Sequence, residues 1–328
     1  MILSIITINY NNAEGLRKTL ASVAAQTYHN IEHIIIDGGS SDGSVDVIKE
    51  YEQQLLHRTP YTIHLKWSSE KDNGIYHAMN KGIEIALGLR EVDAFNRSTL
   101  CGDKNKGNRS ECVEDKHSEA DRPKGTGVEN KENESCYDYI QILNSGDILA
   151  APDVTERIVA ELEKAEYPEF IYGNMIKKDY ATGKVIGKSG EVEYSLRQYY
   201  SGTMNHDCCY IRRDVYDKYG LYDESLKIVS DWKWFLQAIG FGKVKPVYVD
   251  IDVTIFDASG ISESNLELRN KERQQVLEEL LSPAVLADYA KYTFPMEQYN
   301  RLKKYHLWGP VWFVERVLFK LEKWKILK

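Results

Sequence analysis

Apolar positions along the first 90 residues change period in a regular order. "LSIITINY" is a continuous, β-branched run, as expected of a strand covered on both faces. Behind it stands Asn12, a good helix cap, and then Leu16, Leu20 and Val23 at i, i+4 and i+7, which predict a helix. "HIIID" is a second buried strand. It stops at Asp37, before the turn-rich "GGSSDGS" and a helical pattern from Val45. "IHLKW" is a third strand, and "GIYHAMNKGIEIALG" sets Ile75, Met79, Ile83 and Ala86 on one helical face. "YIQILNSGDIL" supplies a fourth strand that ends on Asn144, Ser145, Gly146 and Asp147. Such alternation predicts right-handed βαβ units in an open parallel sheet, with ligands at the carboxyl ends of the strands.

The pattern stops between Gly88 and Tyr137. From Asn96 to Ser135 the only Val, Ile, Leu or Phe residues are Leu100, Val113 and Val128. So little apolar surface cannot offset ordering entropy, and a disordered insertion is expected over residues 88–136. It holds N-x-S matches at Asn96, Asn108 and Asn133, which mean little without a secretion signal. Cys101, Cys112, Cys136 and His117 lack a CxxC pair, so a solvated loop is expected there and not a zinc site.

Beyond Asp147, Pro152 and Asp153 open a helix with Val154, Ile158 and Leu162 on its core face. "FIYGNMIKKDYATGKVIGK" reads as a hairpin around Ala181 to Lys184. "SDWKWFLQAIG" reads as a helix capped by Ser230, with Trp232, Phe235, Leu236 and Ile239 inward. "VKPVYVDIDVTIF" is a further strand, and the rest of the chain reads as helical.

Composition narrows the classes. A chain of 328 residues can bury a sizeable core. No apolar stretch approaches the roughly 18 to 20 residues of a membrane span. "MILSIITINYNN" has no basic region or cleavage-like end, so it reads as a first strand and not as a signal peptide. Five cysteines, with Cys208 and Cys209 adjacent, do not make a disulfide framework, and the expected compartment is the cytosol. The net charge of −8 divides unevenly. Eight Lys or Arg against Glu315 and Glu322 give residues 301–328 a charge of +6, leaving −14 for the rest. So acidic a body argues against general nucleic-acid binding.

Asp37, Asp72 and Asp147 stand at or just beyond the ends of predicted parallel strands, where one crevice is expected. Carboxylates cannot hold a phosphate without a bridging cation, and Mg²⁺ or Mn²⁺ suits because water and a diphosphate can complete its shell. There is no GxGxxG after the first strand, no GxxxxGK[ST] and no G-x-S-x-G elbow.

Taken in order, "ITINYNN", "IIIDGGSSDGS", "DNGIYHAMNKG", "LNSGD" and "SDWKWFL" resemble family 2 of the inverting glycosyltransferases, which have the GT-A fold. The resemblance covers residues 1–88 and 137 to about 262, and is greatest to the bacterial branch that builds capsular, exopolysaccharide and O-antigen chains. It implies an α/β GT-A domain over 1–262 with a mainly parallel open sheet flanked by helices, and a helical extension over 263–328. It implies that Thr7 and Asn9 line the nucleotide pocket, that Asp37 accepts a hydrogen bond from uracil or ribose, and that Asp72 falls on the donor side. The family's Ala-Arg-Asn triplet is here Ala78, Met79, Asn80; the Arg is absent and Lys81 is a candidate for its charge. "NSGD" stands where the family carries its Asp-x-Asp metal motif. Asn144 takes the first place, Gly146 the third, and only Asp147 keeps a carboxylate for Mg²⁺ or Mn²⁺.

By the same resemblance, Asp231 falls at the catalytic base and His206 in a region that contacts donor or acceptor; a structural role for that histidine is the alternative. The implied reaction is sugar transfer from a nucleotide sugar, a UDP-sugar first, to a saccharide or lipid-linked acceptor. A sugar-nucleotide pyrophosphorylase would want a Gly-rich, Arg-containing loop where "NYNNAEG" stands. A catalytically inactive sugar-nucleotide binder is the other rival, favoured by the eroded motif and opposed by Asp231 and Asp147. In "WGPVWFVERVLFKLEKWKILK", Phe313, Val314, Val317, Leu318, Leu321 and Trp324 share a helical face opposite Arg316, Lys320 and Lys323. That pattern suits an anionic membrane surface on the cytoplasmic side. Packing against the catalytic domain, or against a second subunit in a homodimer, is the alternative.

Overall fold

The computed structural model describes residues 1–57, 63–91, 137–179, 182–257, 265–306 and 308–323. The expected insertion with its cysteines, His117 and glycosylation-type matches lies outside them, apart from its first residues, as do Ala181 and Trp324. The described chain divides into two compact units, Met1–Arg269 and Asn270–Lys328.

The first unit is built on a nine-stranded mixed sheet of order β3-β2-β1-β4-β8-β6-β9-β5, with β7 paired to β6. Strands β1 (Leu3–Asn9), β2 (Ile31–Asp37), β3 (Ile63–Ser69) and β4 (Tyr139–Ile142) are all parallel, as the βαβ pattern predicts. Beyond β4 the sheet changes character. Strand β8 (Cys209–Arg212) runs antiparallel to β4 and to β6 (Phe170–Asp179), and β6 pairs parallel with β9 (Val247–Asp257). The two-residue β5 (Ile148–Leu149) and the hairpin strand β7 (Lys184–Lys188) complete it, both antiparallel.

Helices α1 (Ala13–Ala24), α2 (Ser44–Leu56) and α3 (Ile75–Leu87) make the crossovers, and α4 (Val154–Lys164) follows β5. Asn12 caps α1 as expected, its side chain accepting from Gly15 N at 3.1 Å. On α3, Met79, Ile83 and Ala86 are buried, but Ile75 in the first turn is exposed. Shorter helices α5 (Leu196–Ser201), α6 (Arg213–Tyr219) and α7 (Ser230–Phe235) surround the second half of the sheet. Ser230 does not cap α7; it is the helix's first residue and its hydroxyl is buried. Two indoles hold α7 instead. Trp232 Nε1 donates to Tyr199 O at 2.6 Å and Trp234 Nε1 to Gly220 O at 2.8 Å. The helix then widens into a π-helical turn over Leu236–Phe241.

The second unit carries most of α8 (Leu266–Leu280), then α9 (Pro283–Lys304) and α10 (Trp308–Lys323). No helix among the described residues is long and apolar enough to cross a membrane.

Candidate active site

Strand β2 delivers Asp37 at its last residue, fully buried, in register with Asn9 on β1 and Ser69 on β3. Such a carboxylate requires donors, and it has four. Asn9 Nδ2 (2.8 Å) and the Ser40 hydroxyl (2.5 Å) donate to Oδ1, while Ser40 N (2.9 Å) and the Ser69 hydroxyl (2.6 Å) donate to Oδ2. The protein thus satisfies Asp37 before any ligand arrives. Asn9 Oδ1, beside it, is buried without a protein partner and is free to accept from a ligand or water.

The loop after β3 lies directly over this point. A Cβ on Gly38 would sit 2.6 Å from Asp72 Oδ2 and 3.2 Å from the Tyr10 ring, so only glycine lets both close over the end of β2. Asp72 also accepts from Gly74 N at 3.0 Å. Tyr10 is 66% exposed and offers a flat face beside the end of β2. Sequence reading passed over Tyr10, although an aromatic one residue past a parallel strand was the available signal.

Three expected donor contacts stand elsewhere. Thr7 is fully buried, and its hydroxyl meets His33 Nε2 at 3.0 Å, while His33 Nδ1 meets the Tyr51 hydroxyl at 3.0 Å. Thr7 therefore lies beneath the pocket and not on its wall. Burial pushes the His33 ring down to about 3, so it stays neutral between two hydroxyls that can each donate or accept. Asn80 is spent on the chain before α7: Nδ2 donates to Tyr222 O and Glu224 Oε1, both at 2.9 Å, and Oδ1 accepts from Tyr222 N at 2.9 Å. It clamps α3 to that segment with both polar side-chain atoms engaged. Lys81 is buried and paired with Glu70 at 2.7 Å, so its charge is already balanced.

The loop Asn144–Asp147 leaves β4 through a turn in which Gly146 has φ +108°, a conformation reserved for glycine. Helix α1 pins it. Thr19 Oγ1 donates to Asp147 O at 2.7 Å and accepts from Gly146 N at 2.9 Å, and Asn12 Nδ2 donates to Ser145 O at 3.1 Å. Asp147 is 5% exposed. Among the described residues no three His, Cys, Asp or Glu side chains converge to hold a metal ion. One carboxylate fits Mg²⁺ or Mn²⁺ only if a bound diphosphate and water provide the remaining oxygens.

Asp231 lies in the first turn of α7 with both oxygens engaged. Oδ1 accepts from the Tyr76 hydroxyl of α3 at 3.0 Å, and Oδ2 meets His206 Nδ1 at 3.1 Å. The other ring nitrogen, His206 Nε2, is 3.0 Å from the Asn144 side-chain amide. Burial alone would raise the Asp231 carboxyl, but the hydrogen bond and charge of His206, the Trp232 N–H and the Tyr76 hydroxyl hold it below its ordinary value. Burial would lower the His206 ring, but the Asp231 bond and charge, with Asp207 and Asp147 behind, raise it to about 9. A carboxylate so held stays ionised at neutral pH and can take a proton from a hydroxyl that reaches it. Tyr76 was not among the residues expected here; it stands 155 positions from its partner, and no local pattern links them.

Residues 4–89 match the family model described as "Glycosyl transferase family 2". An uncharacterized glycosyltransferase of Mycobacterium tuberculosis is 26% identical over 264 residues, covering 79% of this chain and 76% of that protein. A PGL/p-HBAD biosynthesis glycosyltransferase of Mycobacterium bovis is 21% identical over 262 residues, covering 78% and 77%. Among solved structures, Staphylococcus aureus TarS 1-349 in complex with UDP-GlcNAc superposes with a TM-score of 0.55 at 14% identity, covering 94% of this chain and 78% of that one. A longer TarS chain is 44% covered, with a TM-score of 0.50. The fold of the chain is thus the GT-A type, a mixed open sheet flanked by helices.

Proposed function

We propose that this chain transfers a sugar, with inversion, from a UDP-sugar to a saccharide or lipid-linked saccharide. That it is a glycosyltransferase using a nucleotide-sugar donor rests on the family match, on the relatives and on the GT-A fold. The finer reading rests on one observation. The Asp231 carboxylate and the Asn144–Asp147 loop are joined through a single imidazole, so a proton acceptor and the donor-side loop border the same site. In this reading an acceptor hydroxyl loses its proton to Asp231 as its oxygen bonds the anomeric carbon. The bond from that carbon to the diphosphate breaks on the opposite face, and the diphosphate leaves with the electron pair. Asp147 would hold a divalent cation there, which would supply positive charge to offset the negative charge developing on the leaving diphosphate. Asn9, Asp72 and Tyr10 form the nucleoside end, with Asp37 bracing Asn9 from behind. The measurement that tests this is binding and nucleotide release across a panel of UDP-, GDP- and dTDP-sugars, with and without Mn²⁺. Failure of every donor to bind or turn over would overturn the reading.

The second unit carries a further part of the proposal. Helix α10 exposes Trp312, Phe313, Val314, Val317, Leu318 and Phe319, beside Arg316 and Lys320. Six exposed large apolar side chains in a +6 segment suit burial in an anionic membrane surface, where a lipid-linked acceptor would be held.

A further inference from the structure

We propose that His206 is a positioning residue that locks the Asp231 carboxylate and the Asn144 side chain into one frame, and that an amide stands at 144 because the ring must not be shared between two acids. The inference rests on the reading of Asp231 as the base.

The ring's own support is unusually complete. His206 opens a short 3₁₀ turn, His206–Cys208, leading into β8. The carbonyl of Asn205 just before it accepts from two thiols, Cys208 at 3.2 Å and Cys209 at 3.0 Å. Just after it, Gln141 Nε2 of β4 donates to Asp207 O at 2.7 Å, and Thr254 Oγ1 of β9 donates to Asp207 Oδ2 at 2.7 Å. The backbone on both sides of His206 is therefore tied to the sheet, and the flat ring has little freedom. Adjacent cysteines that form no disulfide find a purpose in this anchor.

From that base the ring reaches outward, among the described residues, to two hydrogen-bonding partners. Nδ1 serves Asp231 and Nε2 serves Asn144. With Tyr76 on its other oxygen, Asp231 is held at both ends, as a base aimed at one acceptor hydroxyl must be. An amide suits the Nε2 side in either state of the ring. Its NH₂ donates to a neutral ring; turned over, its carbonyl accepts from a charged one and gives the unpartnered Asn144 Oδ1 a donor. A carboxylate at 144 could only accept. It would compete with Asp231 for the imidazolium and loosen the frame. The charged groups facing the ring are Asp231 from α7, Asp147 from the loop and Asp207 on its own turn, with the neutral Asn144 and, across Asp231, Tyr76.

The test uses the full chain, ¹⁵N-histidine imidazole spectra, and UDP release from UDP-GlcNAc with water as acceptor, beside UDP calorimetry and melting curves. His206→Asn keeps a donor near the Nδ1 position and His206→Gln near Nε2. The expected result is that His206→Asn retains kcat to within about tenfold, whereas His206→Gln and His206→Ala lose about 10- to 100-fold, with UDP affinity unchanged in all three. The acid limb of the kcat profile should rise in each, because Asp231 loses the cation that lowers it. Asn144→Asp should lower kcat and move the His206 ring signals. Unchanged kcat and acid limb in His206→Ala, with Asp231→Asn inactive, would overturn the positioning role while leaving the glycosyltransferase reading intact. If the wild type releases no UDP from this donor, the spectra decide alone: Asp231→Asn and Asn144→Asp must each shift the His206 nitrogens, and unmoved signals overturn the frame.

Discussion

Asp231→Asn is the change that should separate chemistry from structure. The substitution keeps the shape of the side chain and its contact with Tyr76, since a carbonyl oxygen still stands 3.0 Å from that hydroxyl. On the other side an NH₂ replaces Oδ2, facing His206 Nδ1. Without the carboxylate the ring loses the strongest of the groups that raise it, which favours the neutral form, whose Nδ1 can accept from the introduced amide. Nε2–H can then donate to Asn144 once its amide turns, which satisfies the otherwise orphaned Oδ1. Every buried polar group in the frame keeps a partner, and the stability cost should stay near the ~1 kcal/mol of exchanging one hydrogen bond for another. Catalysis has no such replacement. Loss of a general base lowers rate by about 10² to 10⁴-fold, or ~2.7 to 5.5 kcal/mol of transition-state stabilisation. Nucleotide release in the presence of acceptor should therefore fall by that factor, while UDP affinity by calorimetry and the melting temperature barely move. Normal turnover in this variant would refute the base assignment and with it the inverting mechanism. A collapse of the melting temperature would refute the compensating network.

Asp147→Asn removes the one carboxylate on the donor-side loop. UDP binding in the presence of Mn²⁺ should weaken by roughly 10- to 100-fold and lose its metal dependence, and retained Mn²⁺ dependence by calorimetry would show that the ion sits elsewhere. Replacing Asn96 to Ser135 with a few Gly and Ser should leave melting temperature and UDP binding nearly unchanged; insoluble protein would show that the segment packs. Truncation at Tyr305 should abolish sedimentation with anionic liposomes, binding that in the full chain weakens with salt; equal recovery of both forms in the supernatant at low salt would count against the membrane role. His33 protonates near 6.5 in the unfolded chain but only near 3 when folded, so its burial becomes more costly as pH falls through that window. His33→Gln should flatten the decline of melting temperature between pH 7 and pH 4, and an unchanged slope would place the acid sensitivity elsewhere.

The parallel half of the sheet was legible because each of its strands is a continuous apolar run ending on a polar turn. Asp37 and Asp147 were placed at those strand ends for the same reason. The second half was only partly legible. Strands of two and four residues, such as β5 and β8, carry no usable period, and their pairing is antiparallel. Thr7, Asn80 and Lys81 lie deeper than the sequence pattern suggested, because depth along an element decides the matter. Thr7 and Asn9 lie on the same face of β1, but Thr7 is one pleat deeper and meets His33 before it can meet a ligand. Asn80 and Lys81 sit on a helix buried on nearly every side, so their polarity marked internal partners and not an open site.

What the sequence conceals most thoroughly is the frame around Asp231, because its bonds span 25, 62 and 155 positions. Read along the chain, Asn144 is the loss of an acid from a metal motif, His206 is an isolated histidine and Tyr76 is a helix aromatic. In space they close around Asp231, and the apparent defect acquires a physical reason. An imidazole that orients the base can share its other nitrogen with a neutral amide at no cost to the base, but not with a second carboxylate. In the proposed reading, with an amide at 144, Asp147 is the loop's one carboxylate for a cation, and a donor diphosphate would complete the shell. Cation and donor should then bind as a unit. That coupling is measurable: Mn²⁺ alone should bind weakly, and UDP should raise its affinity by the same factor by which Mn²⁺ raises that of UDP.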